Sequence, residues 1–138
     1  ISYIFLSVFL HTFFYKNTNL GQDISIVIKY ILLNNEEFNI DKLKIKCINT
    51  PGHTKDSVCF LINNDLFTGD TLFDRSIGRT DFPTGNSLQM RESLKKILNY
   101  NKDFTIYPGH NDISTIKEQI NKNYYLKFWK EEQYEGYL

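Results

Sequence analysis

The chain has 138 residues, with 16 Lys plus Arg against 16 Asp plus Glu, 41% hydrophobic residues and 15% aromatic ones. That is enough apolar material for the core of one domain of ordinary size. The even charge balance leaves no electrostatic footprint for nucleic acid or an anionic membrane, so a small molecule or a peptide remains as the partner class.

The opening ISYIFLSVFLHTFFY is apolar and aromatic. It falls short of the roughly 20 residues that cross a bilayer as a helix, and it lacks the basic start of a signal peptide. An element of the globular fold is therefore expected over an anchor, with His11 as a packed or partly exposed core histidine and not a metal ligand, since no second histidine lies two residues away. After a polar break at Asn17 to Gly21, the segment Gln22 to Leu33 puts Ile24, Val27, Ile28 and Ile31 on one helical face. Its β-branched residues also suit a strand. Asn34 to Glu36 marks a turn, Phe38 to Ile40 a short strand, and Asp41-Lys42 a tight connection.

Leu43, Ile45 and Cys47 alternate with Lys44, Lys46 and Ile48, the period-two signature of a strand with one polar face. It runs into Thr50-Pro51-Gly52-His53. Val58 to Ile62 is continuously apolar, which predicts a strand buried on both faces. Asn63-Asn64-Asp65 closes a hairpin and Leu66 to Thr68 returns, giving a β-meander whose ends deliver His53 and Asp70 to one edge. Cys47 and Cys59 lie inside these apolar runs in no CxxC pair. They read as buried free thiols, which favours a reducing, cytoplasmic setting.

From Gly69 to Asn86 a long loop is expected, of the kind that carries function or moves. Within it Arg79 and Asp81 can pair or tie the loop down. Asn86 or Ser87 is a good N-cap for an amphipathic helix over Leu88 to Leu98, with Met90, Leu94, Ile97 and Leu98 inward and Lys95 and Lys96 outward. Phe104 to Tyr107 is a short strand leading to Pro108-Gly109-His110. Ser114 or Thr115 caps a last helix, whose aromatic residues Tyr124, Tyr125, Phe128 and Trp129 are expected to pack against the sheet. Lys130 to Leu138 reads as a frayed end.

Three blocks stand out from this order: TPGHT, FTGDTLF with SIGRTDFP behind it, and YPGH. Each sets one potential metal ligand, His53, Asp70 or His110, beside a glycine at the end of a strand. Imidazole and carboxylate held on loops at strand ends suit a hard or borderline divalent ion.

In this order and at these separations the blocks resemble the C-terminal half of the metallo-β-lactamase-fold hydrolases, most closely the glyoxalase II-like (hydroxyacylglutathione hydrolase-like) branch. The likeness runs from about Leu43 to Leu126. It implies an α/β fold, the C-terminal portion of an αββα sandwich, as a single incomplete domain over residues 1–138. The family's upstream His-x-His-x-Asp-His motif has no counterpart here, and Ile1 stands where a methionine would begin a frame. A piece of a longer protein is therefore expected.

The resemblance further implies two zinc ions, with iron as the other choice. It places His53 on one metal, His110 on the other, and Asp70 as the bridging carboxylate and catalytic residue. A bound metal of this kind lowers the pKa of water from about 16 to about 7, which supplies hydroxide for hydrolysis of a thioester such as an acyl-glutathione. With one terminal ligand per ion, the chain alone is expected to bind metal weakly and to hydrolyse negligibly. A non-catalytic binding module and a single-iron sulfur dioxygenase are the alternatives. Lys55-Asp56, Thr84 and Asn86 depart from the family's usual Pro-Gly, glycine and aspartate.

Overall fold

The structure, a computed structural model, describes residues 37–40 and 42–128. The apolar opening, His11, the helix expected over Gln22 to Leu33 and Trp129 lie outside these residues.

Strands β1 (Glu37–Ile40) and β2 (Leu43–Asn49) pair antiparallel, with Ile40 opposite Leu43. β3 (Val58–Ile62) pairs with β2, setting Cys47 against Phe60 and Ile48 against Cys59. Asn63 and Asn64 then turn the chain into β4 (Asp65–Gly69), with Asn63 at φ 53°, a conformation asparagine tolerates better than most residues. Asn63 also fastens the turn to β2, donating its backbone N–H to the Lys44 carbonyl and accepting from Lys44 N at 3.0 Å.

The long segment after β4 is not a bare loop. It folds into a small hairpin, β5 (Leu72–Phe73) and β6 (Ser76–Ile77), with Arg75 at φ 57° in the turn. Leu72 is fully buried and anchors it. Two-residue strands are too short to show an alternation, which is why only turn chemistry was visible here.

Helix α1 (Ser87–Leu98) is capped by Asn86, whose side chain accepts from Gln89 N. Met90, Leu94 and Ile97 are buried, each at the three-to-four spacing of one helix face, and each contributes about 1.5–3 kcal/mol by its burial. They pack with Ile48, Cys59, Leu66, Leu72 and Ile106 in one cluster. This corrects the expectation for β2: Lys44 and Lys46 do lie on a polar face, but Ile48 beyond them is covered.

β7 (Thr105–Pro108) lies parallel to β4, and β8 (Ser114–Thr115) antiparallel to β7, giving a six-stranded sheet of order β1-β2-β3-β4-β7-β8. Thr115 caps α2 (Ile116–Lys122) through a reciprocal capping box with Glu118. Ile116 and Leu126 join the cluster under α1. The opposite face of the sheet is also buried at Ile45, Cys47, Phe60, Ile62 and Phe67, so β3 is covered on both sides as its composition requires.

The aromatic tail does not pack as expected. Past Asn123 the buried position is Leu126, while Tyr124, Tyr125 and Phe128 face outward, with Tyr124 and Phe128 stacked on each other. Residues 124 and 128 share a helical face that points away from the sheet. Both cysteines are free and buried, and burial pushes each thiol up to about 11. No helix among the described residues is long and apolar enough to cross a membrane.

Candidate metal centre

β2, β4 and β7 point the same way, since β3 reverses between the first two and β4 and β7 are parallel. The loops that leave them therefore emerge at one rim. Asp70 follows β4 directly, His110 lies two residues beyond β7, and His53 lies four residues beyond β2.

Helix α1 holds the first loop in place. Ser93 Oγ donates to the Pro51 carbonyl at 2.7 Å, and Asn86 N donates to the Gly52 carbonyl at 2.8 Å. Gly52 has φ +148° and lies so close beneath the helix that a Cβ would sit 2.5 Å from Met90 Cα. Only glycine fits both conditions.

The second and third loops are stitched together by Gly109 N, which donates to the Gly69 carbonyl at 2.8 Å. Behind Asp70, buried Thr50 lies 3.3 Å from both Thr71 Oγ1 and Cys59 Sγ, and Thr68 Oγ1 donates to the Leu72 carbonyl at 2.7 Å. These bonds use threonine hydroxyls to satisfy backbone and side-chain groups at the turn without adding charge.

The three side chains singled out from sequence come together here. Asp70 Oδ2 lies 3.6 Å from His53 Nε2, and Asp70 Oδ1 lies 3.3 Å from His110 Nε2. His53 and Asp70 are mostly shielded, with side chains 15% and 20% exposed, whereas His110 stands on the rim at 67%. His53 Nδ1 is 2.9 Å from the Arg79 carbonyl. A carbonyl only accepts, so Nδ1 donates to it and Nε2 is the nitrogen that faces a carboxylate oxygen. An imidazole nitrogen and a carboxylate oxygen turned toward each other suit a cation that both can bind.

The arrangement is not a single three-donor cup. Among the described residues no group of three His, Cys, Asp or Glu side chains is placed to hold one ion. The imidazoles instead flank the carboxylate, one on each oxygen. An open groove of about 240 Å³, lined by Pro51, Leu88, Gln89, Glu92, Ser93 and Lys96, runs along α1 and contains none of the three. The donor atoms, not that groove, mark the chemically competent place.

Several supporting groups had no distinct signal in the sequence. Phe82 meets the His53 ring edge-on at 5.1 Å, and Phe73 meets the His110 ring at 5.7 Å. Gln119, fully buried on α2, bonds Asp74, Ser114, Asn123 and the backbone N–H of Arg75 at 2.9–3.0 Å, and Asn123 reaches the Ser76 carbonyl at 3.1 Å. Through these bonds α2 fixes the hairpin that carries Phe73. A carbonyl partner and a buried amide leave no mark in composition, although the buried glutamine falls on the apolar face of a short helix.

Comparison with known proteins finds a match to the Metallo-beta-lactamase superfamily over residues 14–110. The chain is 40% identical over 86 residues to a probable metallo-hydrolase of Methanocaldococcus jannaschii, covering 60% of this chain and 42% of that protein. It is 34% identical over 127 residues to the mitochondrial hydroxyacylglutathione hydrolase of Saccharomyces cerevisiae, covering 74% of this chain and 44% of that enzyme. Among solved structures, ETHE1 from Myxococcus xanthus superposes with a TM-score of 0.61 at 35% identity, covering 65% of this chain and 42% of that one. The chain thus spans less than half the length of these relatives.

Proposed function

The chain belongs to the metallo-beta-lactamase superfamily, and from that premise we propose that it carries one side of a binuclear metal centre in a hydrolase acting on a thioester such as an acyl-glutathione. Asp70 is the bridging carboxylate, His53 a ligand of one ion and His110 a ligand of the other. The observation that carries this reading is the placement of Asp70, with a different oxygen toward each imidazole. Similarity to a hydroxyacylglutathione hydrolase supports the substrate class.

When bound, a divalent pair of this kind supplies hydroxide at neutral pH and polarises the substrate carbonyl. The chain's own residues hold and orient. The Arg79 carbonyl keeps the His53 Nε2 lone pair free, and the Gly69 to Gly109 stitch keeps Asp70 beside His110. Phe82 and Phe73 pack against the two rings, one on each. The exposed His110 leaves the rim as the side from which substrate enters.

Zinc suits imidazole and carboxylate donors, and iron is the other ion that accepts this set. The described residues offer each ion one imidazole and one carboxylate oxygen, two donors short of a tetrahedral shell. On these donors alone the chain binds metal weakly and turns over thioester negligibly. Metal analysis of the purified chain, with acyl-glutathione hydrolysis measured alongside, tests both statements. Two tightly held ions with robust turnover overturn the weak-binding statement. Metal uptake that is unchanged in Asp70→Asn overturns the centre itself. The two buried free thiols fit a reducing, cytoplasmic setting for this chemistry.

A further inference from the structure

We infer that the tetrapeptide Arg79 to Phe82 is a clip that orients the His53 imidazole, its backbone fixing the ring's tautomer and its aromatic side chain fixing the ring's plane. Arg79 contributes through its carbonyl, which accepts from His53 Nδ1 at 2.9 Å. Its side chain closes the clip: Nε and Nη2 donate to the two oxygens of Asp81 at 2.6 and 2.7 Å, a fork-to-fork pairing across a single intervening residue. The same guanidinium lies 4.5 Å over the Phe82 ring, and that ring meets His53 edge-on at 5.1 Å. One tetrapeptide therefore touches His53 twice, at a nitrogen and through a perpendicular ring contact.

The Arg79–Asp81 pair is 63% and 65% exposed, so solvent screens it and it adds little to global stability. Its two-point geometry instead restricts the turn. The clip is also tied at both ends to the site. Before it, Gly78 N donates to the Thr71 carbonyl at 3.3 Å, and the chain passes so near Asp70 that a Cβ on Gly78 would overlap the Asp70 carbonyl oxygen at 1.7 Å. After it, Asn86 N donates to Gly52, the residue preceding His53. Arg79, Asp81 and Phe82 are positioning residues, since none has to touch a reactant.

The test is the ring-nitrogen NMR spectrum of His53 in the metal-free full chain, recorded at a pH high enough that the ring carries a single proton. The wild type is expected to show the Nδ1–H tautomer alone. Asp81→Asn and Phe82→Ala shift both ring nitrogens toward the averaged values of a solvent-exposed histidine, while Phe82→Tyr restores the wild-type positions. The His110 ring signals, which stay in place, report that the fold is intact. Should Asp81→Asn fail to fold, Arg79→Lys removes the two-point pairing without removing the charge. His53 signals that coincide with wild type in both loosened variants overturn the clip, as does an Nε2–H tautomer in the wild type. A zinc titration adds an arm that rests on the proposed function: Asp81→Asn weakens zinc binding by about 10–100-fold. Zinc uptake that Asp81→Asn leaves unchanged sinks the bearing of the clip on metal and leaves the tautomer result standing.

Discussion

Gly109 donates its backbone N–H to the carbonyl of Gly69 at 2.8 Å, and this bond sets the YPGH turn against the TGD turn. A Cβ on Gly109 would lie 3.0 Å from Asp70 Oδ1, so the two loops meet at a separation that leaves no room for a side chain. Gly109→Ala is expected to push the carboxylate aside by a few tenths of an ångström. Metal uptake should fall while the melting temperature moves little, because Gly109 is not among the residues at positive φ. Calorimetry paired with zinc titration separates the two effects, and an unchanged titration would show that the carboxylate's position does not matter.

Gly52 and Gly69 both have positive φ, yet their substitutions should differ. At Gly52 a methyl group meets the Met90 backbone at 2.5 Å, so strain and overlap combine to about 3 kcal/mol. At Gly69, with φ +50° and open space around it, only the left-handed backbone penalty of about 1–2 kcal/mol applies. Urea unfolding of the two alanine variants should reproduce that order.

Gln119→Leu keeps the volume of a fully buried side chain and removes all four of its hydrogen bonds. The groups left without a partner, among them Asp74 Oδ1 and Arg75 N–H, make the cost about 2–4 kcal/mol. Amide exchange at Arg75 should accelerate more than exchange in β3, since the hairpin loosens before the sheet does.

The thiols give a pH dependence. Desolvation by burial raises Cys59 from 9.0 to about 11, with smaller opposing effects from its hydrogen bonds to Thr50 and Thr71. Cys47 is raised to about 11 as well, again chiefly by desolvation. Between these limits the folded chain binds more protons than the unfolded one, so stability is full below about pH 9 and is lost as pH rises toward 11. At about 1.4 kcal/mol per unit the fully buried Cys59 contributes roughly 2–3 kcal/mol of that loss. Denaturant midpoints at pH 8, 9.5 and 10.5 measure it, and a thiol reagent at pH 8 should react only as fast as the chain unfolds.

Much of the sheet, and the delivery of His53 and Asp70 to one edge, were legible because they rest on local rules, whereas His110 was joined to them by the family resemblance. Alternation marks β2, an unbroken apolar run marks β3, and the glycines beside His53, Asp70 and His110 mark turns at strand ends. What stayed hidden depends on contacts between distant segments. Ile48 occupies a position that alternation assigns to solvent until α1 is placed over it. Tyr124, Tyr125 and Phe128 are hydrophobic enough for a core, but the phase of their helical turn is set by Asn123 and Leu126, which claim the inward positions. The contact of Arg79 with His53 is made by its main-chain carbonyl, which any residue shares, so the residue type signals only the Arg79–Asp81 pairing and not that contact.

The order of the strands also sets how far each donor must reach. Neighbouring strands run about 4.8 Å apart, so His110, next door to Asp70, needs only a two-residue overhang past its strand. His53 starts two lanes away and comes in on a four-residue overhang instead. The sheet's lateral pitch thus acts as a gauge for the distances between donors. Lengthening or shortening either overhang by one residue would detune that gauge while leaving every donor's chemistry untouched.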